Sequence, residues 1–310
     1  MDWKRYLPII GIVLFVYILI KVNLIEIIAE IRNANIYFLV IALIFVVLVQ
    51  FIQTFKWFAI AVFQDIRVPF SKAVKINLIS NFYGFITPSK IGAVIRAEYL
   101  KKYTKNIGKG LFNFTADKIM DLSSIIFIVV VFSFVFAGKL DLPVWFFVML
   151  FLMFVFVTLF FISKNRSRPI VKFFYNKFVP MKMKSKIKGS AKNTFDSFYE
   201  NIPKKRYFVL FFLLNIINWG FMYAVSYFVG LSLGINLPFY FYLAILPLGT
   251  LVTLIPISIN GLGTREATLI TLFGIFGVES AKVFSMSVIS LLFAGILPAI
   301  VAWAWVWKGE

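Results

Sequence analysis

With 310 residues, 61% of them hydrophobic and only 15% charged, and a mean hydropathy of +0.92, the chain lies outside the soluble range of about 45–50% apolar. It reads as an all-α polytopic membrane protein, a single integral membrane domain over 1–310. Cysteine and histidine are both absent, which excludes disulfides, zinc sites and Ser-His-Asp or Cys-His chemistry. The net charge of +19 fits basic loops facing anionic headgroups. It does not call for nucleic acid, since no basic-aromatic binding module is present.

In chain order, Lys4-Arg5 followed by Leu7 to Ile20 has the outline of a signal peptide. No small-residue cleavage site follows, so it is read as a retained first helix. Apolar runs long enough for about 30 Å of hydrocarbon occupy 6–22, 36–55, 111–137, 143–162, 207–232 and 281–307, which predicts about six crossing helices. On the second run Gln50, Gln53 and Lys56 fall on one side, and Trp57 is expected as an interfacial anchor.

Two further segments are apolar but broken. Ile76 to Ile86 runs into Thr87-Pro88-Ser89-Lys90-Ile91-Gly92, then Arg96 and Glu98. Residues 239–276 hold Pro256, Asn260, Gly261, Gly263, Thr264, Arg265 and Glu266 between apolar runs. Ile76 to Pro88 is 13 residues, about 20 Å of helix, too short to cross. Lipid tolerates irregular backbone only inside protein or beside a water-filled cavity. Both breaks are therefore predicted to be re-entrant hairpins.

Charge sets their orientation. With both termini in the cytoplasm, the inside segments 2–5, 56–75, 90–110, 163–206 and 308–310 hold 26 Lys/Arg against six Asp/Glu. The outside segments 21–35, 138–142 and 277–282 hold four of each. This is the positive-inside pattern. It makes the two hairpins enter from opposite faces, an inverted-repeat-like plan found in transporters. Residues 163–206 interleave Lys and Arg with apolar residues, among them Phe173, Phe174 and Phe178, and read as a basic amphipathic cytoplasmic loop on the inner leaflet.

The chemistry-bearing residues gather at the breaks. Thr87-Pro88 has the grammar of a helix start, as does Thr264 before Arg265-Glu266. Helix N-termini inside the membrane, with Lys90, Arg96 and Arg265 beside them, make an anion site suited to a phosphate headgroup. Asn260 adds an amide. At the start of the third run Asp117 and Asp121, at i, i+4, share one helix face, and Lys118 is placed to pair with Asp121 at i, i+3. They read either as a salt-bridged interfacial helix end or as cavity groups paired with Arg96 or Arg265. With Glu98 and Glu266 they would balance charge or carry protons. The other amides, Asn215 and Asn218 among them, are expected to bond between helices.

The stretches Asn81 to Gly92 with Arg96, Asp117-Lys118-Ile119-Met120-Asp121 and Ile255 to Glu266 resemble the flippase-like family named for the transmembrane region of bacterial lysylphosphatidylglycerol synthases. The resemblance covers nearly the whole chain. The family's first break often reads Pro-Gly-Arg-x-Gly-Glu, where this chain has Ser89, Lys90 and Ala93. Its Glu-Arg pair is Asp117-Lys118 here. Related regions are fused to some archaeal glycosyltransferases and implicated in moving lipid-linked sugars.

The resemblance implies lipid translocation. The namesake's aminoacyl-transferring domain is not expected here, nor is any enzymatic reaction, cofactor or bound metal. The expected partner is a membrane lipid, either a phospholipid or a lipid-linked sugar. The expected location is the cell membrane. Two alternatives stay open: an enzyme acting on a phospholipid or polyprenyl phosphate through Asp117 and Asp121, and an assembly partner of a glycosyltransferase.

Overall fold

Backbone in lipid must satisfy its own polar groups, and every regular element of the computed structural model among the described residues is helical. The structure describes residues 7–136 and 206–307, apart from 23, 105, 256 and 257, with isolated positions between the two stretches. The helices are α1 (Leu7–Lys21), α2 (Leu24–Arg32), α3 (Ile36–Phe63), α4 (Phe70–Phe85), α5 (Ile95–Thr104) and α6 (Ile107–Phe132). After the gap come α7 (Tyr207–Ser232), α8 (Phe239–Thr253), α9 (Thr264–Gly274), α10 (Ser280–Leu291) and α11 (Leu297–Trp307). Tighter 3-10 turns occupy Pro88–Val94, Ser133–Phe136 and Ile259–Gly261, and a π turn at Leu292–Ile296 fuses α10 to α11.

Local chemistry sets several boundaries. The Asn35 side chain accepts the Tyr37 N–H at 3.0 Å and starts α3. The Asn106 side chain accepts the Gly108 N–H at 2.9 Å and starts α6. Both are N-cap bonds that satisfy an orphan amide.

Among the described residues, four stretches are long and apolar enough to cross a bilayer: Ile36–Phe63, Ile107–Phe136, Tyr207–Ser232 and Ser280–Ala304. They correspond to four of the six runs expected. α1 has 15 residues, about 22 Å, and falls short of the hydrocarbon thickness. The expected span at 143–162, the basic loop at 163–206 and Pro256 lie outside the described residues.

No hydrophobic force draws helices together in lipid, so close packing and buried polar contacts must do it. α6 is the enclosed helix: 56% of its apolar stretch is buried, against 17% for α3. α3 turns a row including Val40, Leu43, Ile44 and Val47 outward and packs its other side on α7. The main core joins Val46 and Val49 of α3, Ile128 of α6, Val225 and Val229 of α7, Ile245 of α8 and Phe273 of α9.

Trp57 departs from the expected anchor role, being fully buried. Its indole N–H donates to Asn77 Oδ1 at 3.1 Å, a bond that would be lost at the membrane surface. Lys56, counted above with an inside loop, is only 4% exposed and belongs to the interior.

The two breaks are helix–turn–helix segments. α4 has 16 residues, α8 has 15 and α9 has 11, or about 24, 22 and 16 Å. All are shorter than the hydrocarbon core of about 30 Å. The 3-10 turns at Pro88–Val94 and Ile259–Gly261 touch each other. Each carries a non-glycine residue in the left-handed region, Lys90 at φ +56° and Asn260 at φ +52°. At Gly92 the chain passes so close to α4 that a Cβ would fall 2.2 Å from the Tyr83 carbonyl oxygen.

Candidate functional site

Helical periodicity collects the polar groups on one side of each helix around a shared space. On α6, Phe114, Asp117, Lys118, Asp121, Leu122 and Ile125 recur at helical spacing. On α7, Asn218, Trp219, Met222, Tyr223 and Ser226 do the same. With residues of α3, α4, α8, α10 and both tight turns they line a cavity of about 580 Å³.

At one part of the wall lies a charge cluster. Asp117 Oδ2 accepts from Arg96 Nη2 at 2.7 Å, and Asp117 Oδ1 lies 3.0 Å from Lys56 Nζ. Asp121 Oδ1 pairs with Lys56 Nζ, and Asp121 Oδ2 lies 2.8 Å from Lys118 Nζ. Lys56 also donates to Asn215 Oδ1 at 2.9 Å. The Arg96 guanidinium sits 5.1 Å from the Trp57 ring centroid and 5.4 Å from that of Phe114. Burying ions unpaired costs several kcal/mol each, and this network pairs every one of them.

Arg96, expected to hold phosphate, therefore spends its charge on Asp117. The Arg96–Asp117 and Lys118–Asp121 pairs are those the sequence pointed to, and Lys56 is the further partner of both carboxylates. Lys56 is the residue the sequence did not place in the site. Its position six after Gln50 and three after Gln53 was the available signal, since Asn81 Nδ2 donates to Gln53 Oε1 at 2.8 Å and marks that side of α3 as interior.

The second break is organised around Glu266, 1% exposed. Its Oε2 accepts the Gly263 N–H at 2.7 Å and its Oε1 accepts the Ser287 hydroxyl at 2.7 Å. A carboxylate three residues into a helix bonds back to the N-cap amide in this way. The N-cap is thus Gly263, not Thr264 as the sequence suggested. The Thr264 hydroxyl donates to the Gly261 carbonyl at 3.1 Å and lies 3.0 Å from Ser258 Oγ. Arg265 Nη2 donates to the Ser287 carbonyl at 2.6 Å, while its side chain still lines the cavity.

In the first break Thr87 Oγ1 donates to the Tyr83 carbonyl at 2.8 Å and accepts the Gly92 N–H at 2.7 Å. Both threonines thus hold their own turns. The break amides of Gly92 and Gly263 are taken up internally, so side chains supply the charge facing the cavity. Glu98 lies at the surface, 3.4 Å from Lys101, and does not balance the cavity. Asn260 lines it.

Lys90 is different from the other cations. It lines the cavity, and among the described residues its ammonium has no hydrogen-bond or ion-pair partner. It shares the space with the like charges of Lys118, Arg265 and Lys56 and with the opposite charge of Asp121. Five cations and two carboxylates line the cavity, and the buried Glu266 carboxylate, 3.4 Å from Arg265 Nε, offsets a further charge, so two cations are left in excess. An anion entering there meets uncompensated positive charge in a low-dielectric setting.

The model of the lysylphosphatidylglycerol synthase TM region matches residues 8–302. The chain belongs to that family. A UPF0104 membrane protein of Pyrococcus horikoshii is 24% identical over 318 aligned residues, covering 96% of this chain and 95% of the relative. A UPF0104 membrane protein of Methanothermobacter thermautotrophicus is 29% identical over 106 residues, 34% of this chain and 30% of that one. Membership and the four long apolar helices make this a multi-pass membrane protein.

Proposed function

We propose that this protein translocates a lipid with an anionic headgroup, a phospholipid or a lipid-linked sugar, between the leaflets of the cell membrane. The headgroup passes through the cavity while the tails stay in the bilayer. Both termini are cytoplasmic and the loop at 163–206 lies on the inner leaflet. The two short helix–turn–helix segments are re-entrant hairpins entering from opposite faces, and they bring Lys90, Asn260 and Arg265 to mid-membrane depth. Lys118 contributes a further cation at the rim of the cluster. The observation that carries this reading is the Lys90 ammonium, without an ion-pair partner among the described residues, in a cavity with surplus positive charge.

The reading assigns no reaction to the chain. An enzyme using Asp117 and Asp121 to hold a divalent cation is less favoured, because Lys56, Arg96 and Lys118 already occupy those carboxylates and would repel the metal. A membrane enzyme as partner is compatible with translocation.

The test is leaflet exchange of a fluorescent phosphatidylglycerol in proteoliposomes, read by quenching the outer leaflet. Lys90→Gly removes the ammonium at a backbone angle that glycine adopts freely, so folding is preserved. Exchange is expected to fall about tenfold or more, the loss of one charge-assisted bond. Wild-type exchange no faster than in protein-free vesicles, or a variant as fast as wild type, overturns the proposal.

A further inference from the structure

The cavity has a second wall of different chemistry. It is built by α7 and α10, which pack on each other, and none of its lining residues is charged. Three polar atoms in this wall are buried and have no hydrogen-bond partner: Asn218 Oδ1, Trp219 Nε1 and Ser290 Oγ. Asn218 is 2% exposed and Ser290 7%. Nearby on the same face of α7, Tyr223 stacks on Trp219 with centroids 5.4 Å apart and directs its hydroxyl to Thr250 Oγ1 at 3.4 Å.

Buried polar groups are almost always paired by protein, water or ligand, so three such atoms in one cavity wall are available to a ligand that pairs them in place of water. Their chemistry says which kind. Asn218 Oδ1 only accepts, the indole N–H only donates, and the Ser290 hydroxyl does both. A phosphate, which only accepts, cannot satisfy Asn218 Oδ1. Hydroxyl groups, which donate and accept, satisfy all three. Stacked aromatic rings beside them suit the C–H face of a ring-shaped polyol.

We infer that the α7–α10 wall is a neutral hydroxyl-binding subsite. Together with the cationic wall at Lys90 and Arg265, it selects a phosphate esterified to a polyhydroxylated group over a bare phosphate. This deepens the translocation reading and rests on it for the lipid part of the ligand.

Binding in detergent tests the subsite apart from transport. The probes are phosphatidylinositol, phosphatidic acid and soluble inositol 1-phosphate, with affinities read from thermal stabilisation of the protein. Wild type is expected to bind phosphatidylinositol about tenfold more tightly than phosphatidic acid, the worth of one or two added buried hydrogen bonds. Ser290→Ala and Asn218→Leu are expected to bring that ratio towards one while phosphatidic acid binding holds. The ratio within each variant is insensitive to a general loss of stability.

Equal wild-type binding of the two lipids, or a ratio unchanged in both variants, overturns the subsite. Inositol 1-phosphate binding with the same sensitivity to the variants supports the subsite and identifies the headgroup alone as sufficient. Absence of leaflet exchange alongside a preserved binding ratio removes the translocation reading and leaves the subsite standing.

Discussion

At the scale of residues, the charged groups divide into those that hold the fold and those left over. Asp117 belongs to the first class. It answers two buried cations at once, Arg96 at 2.7 Å and Lys56 at 3.0 Å. Removing one partner of a buried ion pair costs about 3–5 kcal/mol, because the other charge remains without compensation. Asp117→Asn is therefore expected to lower the unfolding temperature sharply in detergent, and Arg96→Ala to behave likewise. Glu98→Gln, at the surface beside Lys101, is expected to leave it unchanged. Equal unfolding temperatures for Asp117→Asn and Glu98→Gln would contradict the paired network. Loss of transport in an Arg96 variant then reports on stability, whereas loss in Lys90→Gly reports on binding.

At the scale of elements, the two broken segments are the part of the architecture that sequence reveals best. Pro88 opens the tight turn that follows α4, and Gly261 and Gly263, at φ +78° and +80°, lie in the turn that precedes α9. Less legible is what each break does with its own polar groups. Glu266 reads in sequence as a charge-balancing group, and besides lying 3.4 Å from Arg265 it accepts the Gly263 amide and the Ser287 hydroxyl, each at 2.7 Å, which the sequence does not show. Thr264 falls one residue inside the helix for the same reason.

Ile91, 66% exposed, and Ile255, 49% exposed, flank the two tips and allow the opposed arrangement to be tested in a chain with no native cysteine. Ile91→Cys is expected to react with an impermeant maleimide only from the cytoplasmic side, and Ile255→Cys only from outside. Both labelling from one side would contradict opposed hairpins.

At the scale of the whole molecule, apolar runs announce a membrane protein because hydrocarbon imposes a length, and four of them appear as long helices. The partnerships across the cavity are hidden from sequence because they join distant residues. Lys56 meets Asp121 from 65 positions away and Asn215 from 159. Trp57 shows the same limit. Its residue type suits an interface, and only the packing of α4 and α5 around it shows that it lies beneath Arg96.

The surplus of cations around the cavity reaches beyond binding. A carrier that returns unloaded would haul net positive charge through the bilayer's electric field, at about 2.3 kcal/mol per elementary charge per 100 mV. A carrier filled by an anion travels closer to neutral. A voltage negative inside should thus skew the empty return step and leave the loaded step nearly untouched. Proteoliposomes clamped with a potassium gradient would register this as a direction-dependent flux that vanishes when the ionophore collapses the potential. A flux indifferent to voltage would mean that the surplus charge is neutralised before the cavity turns.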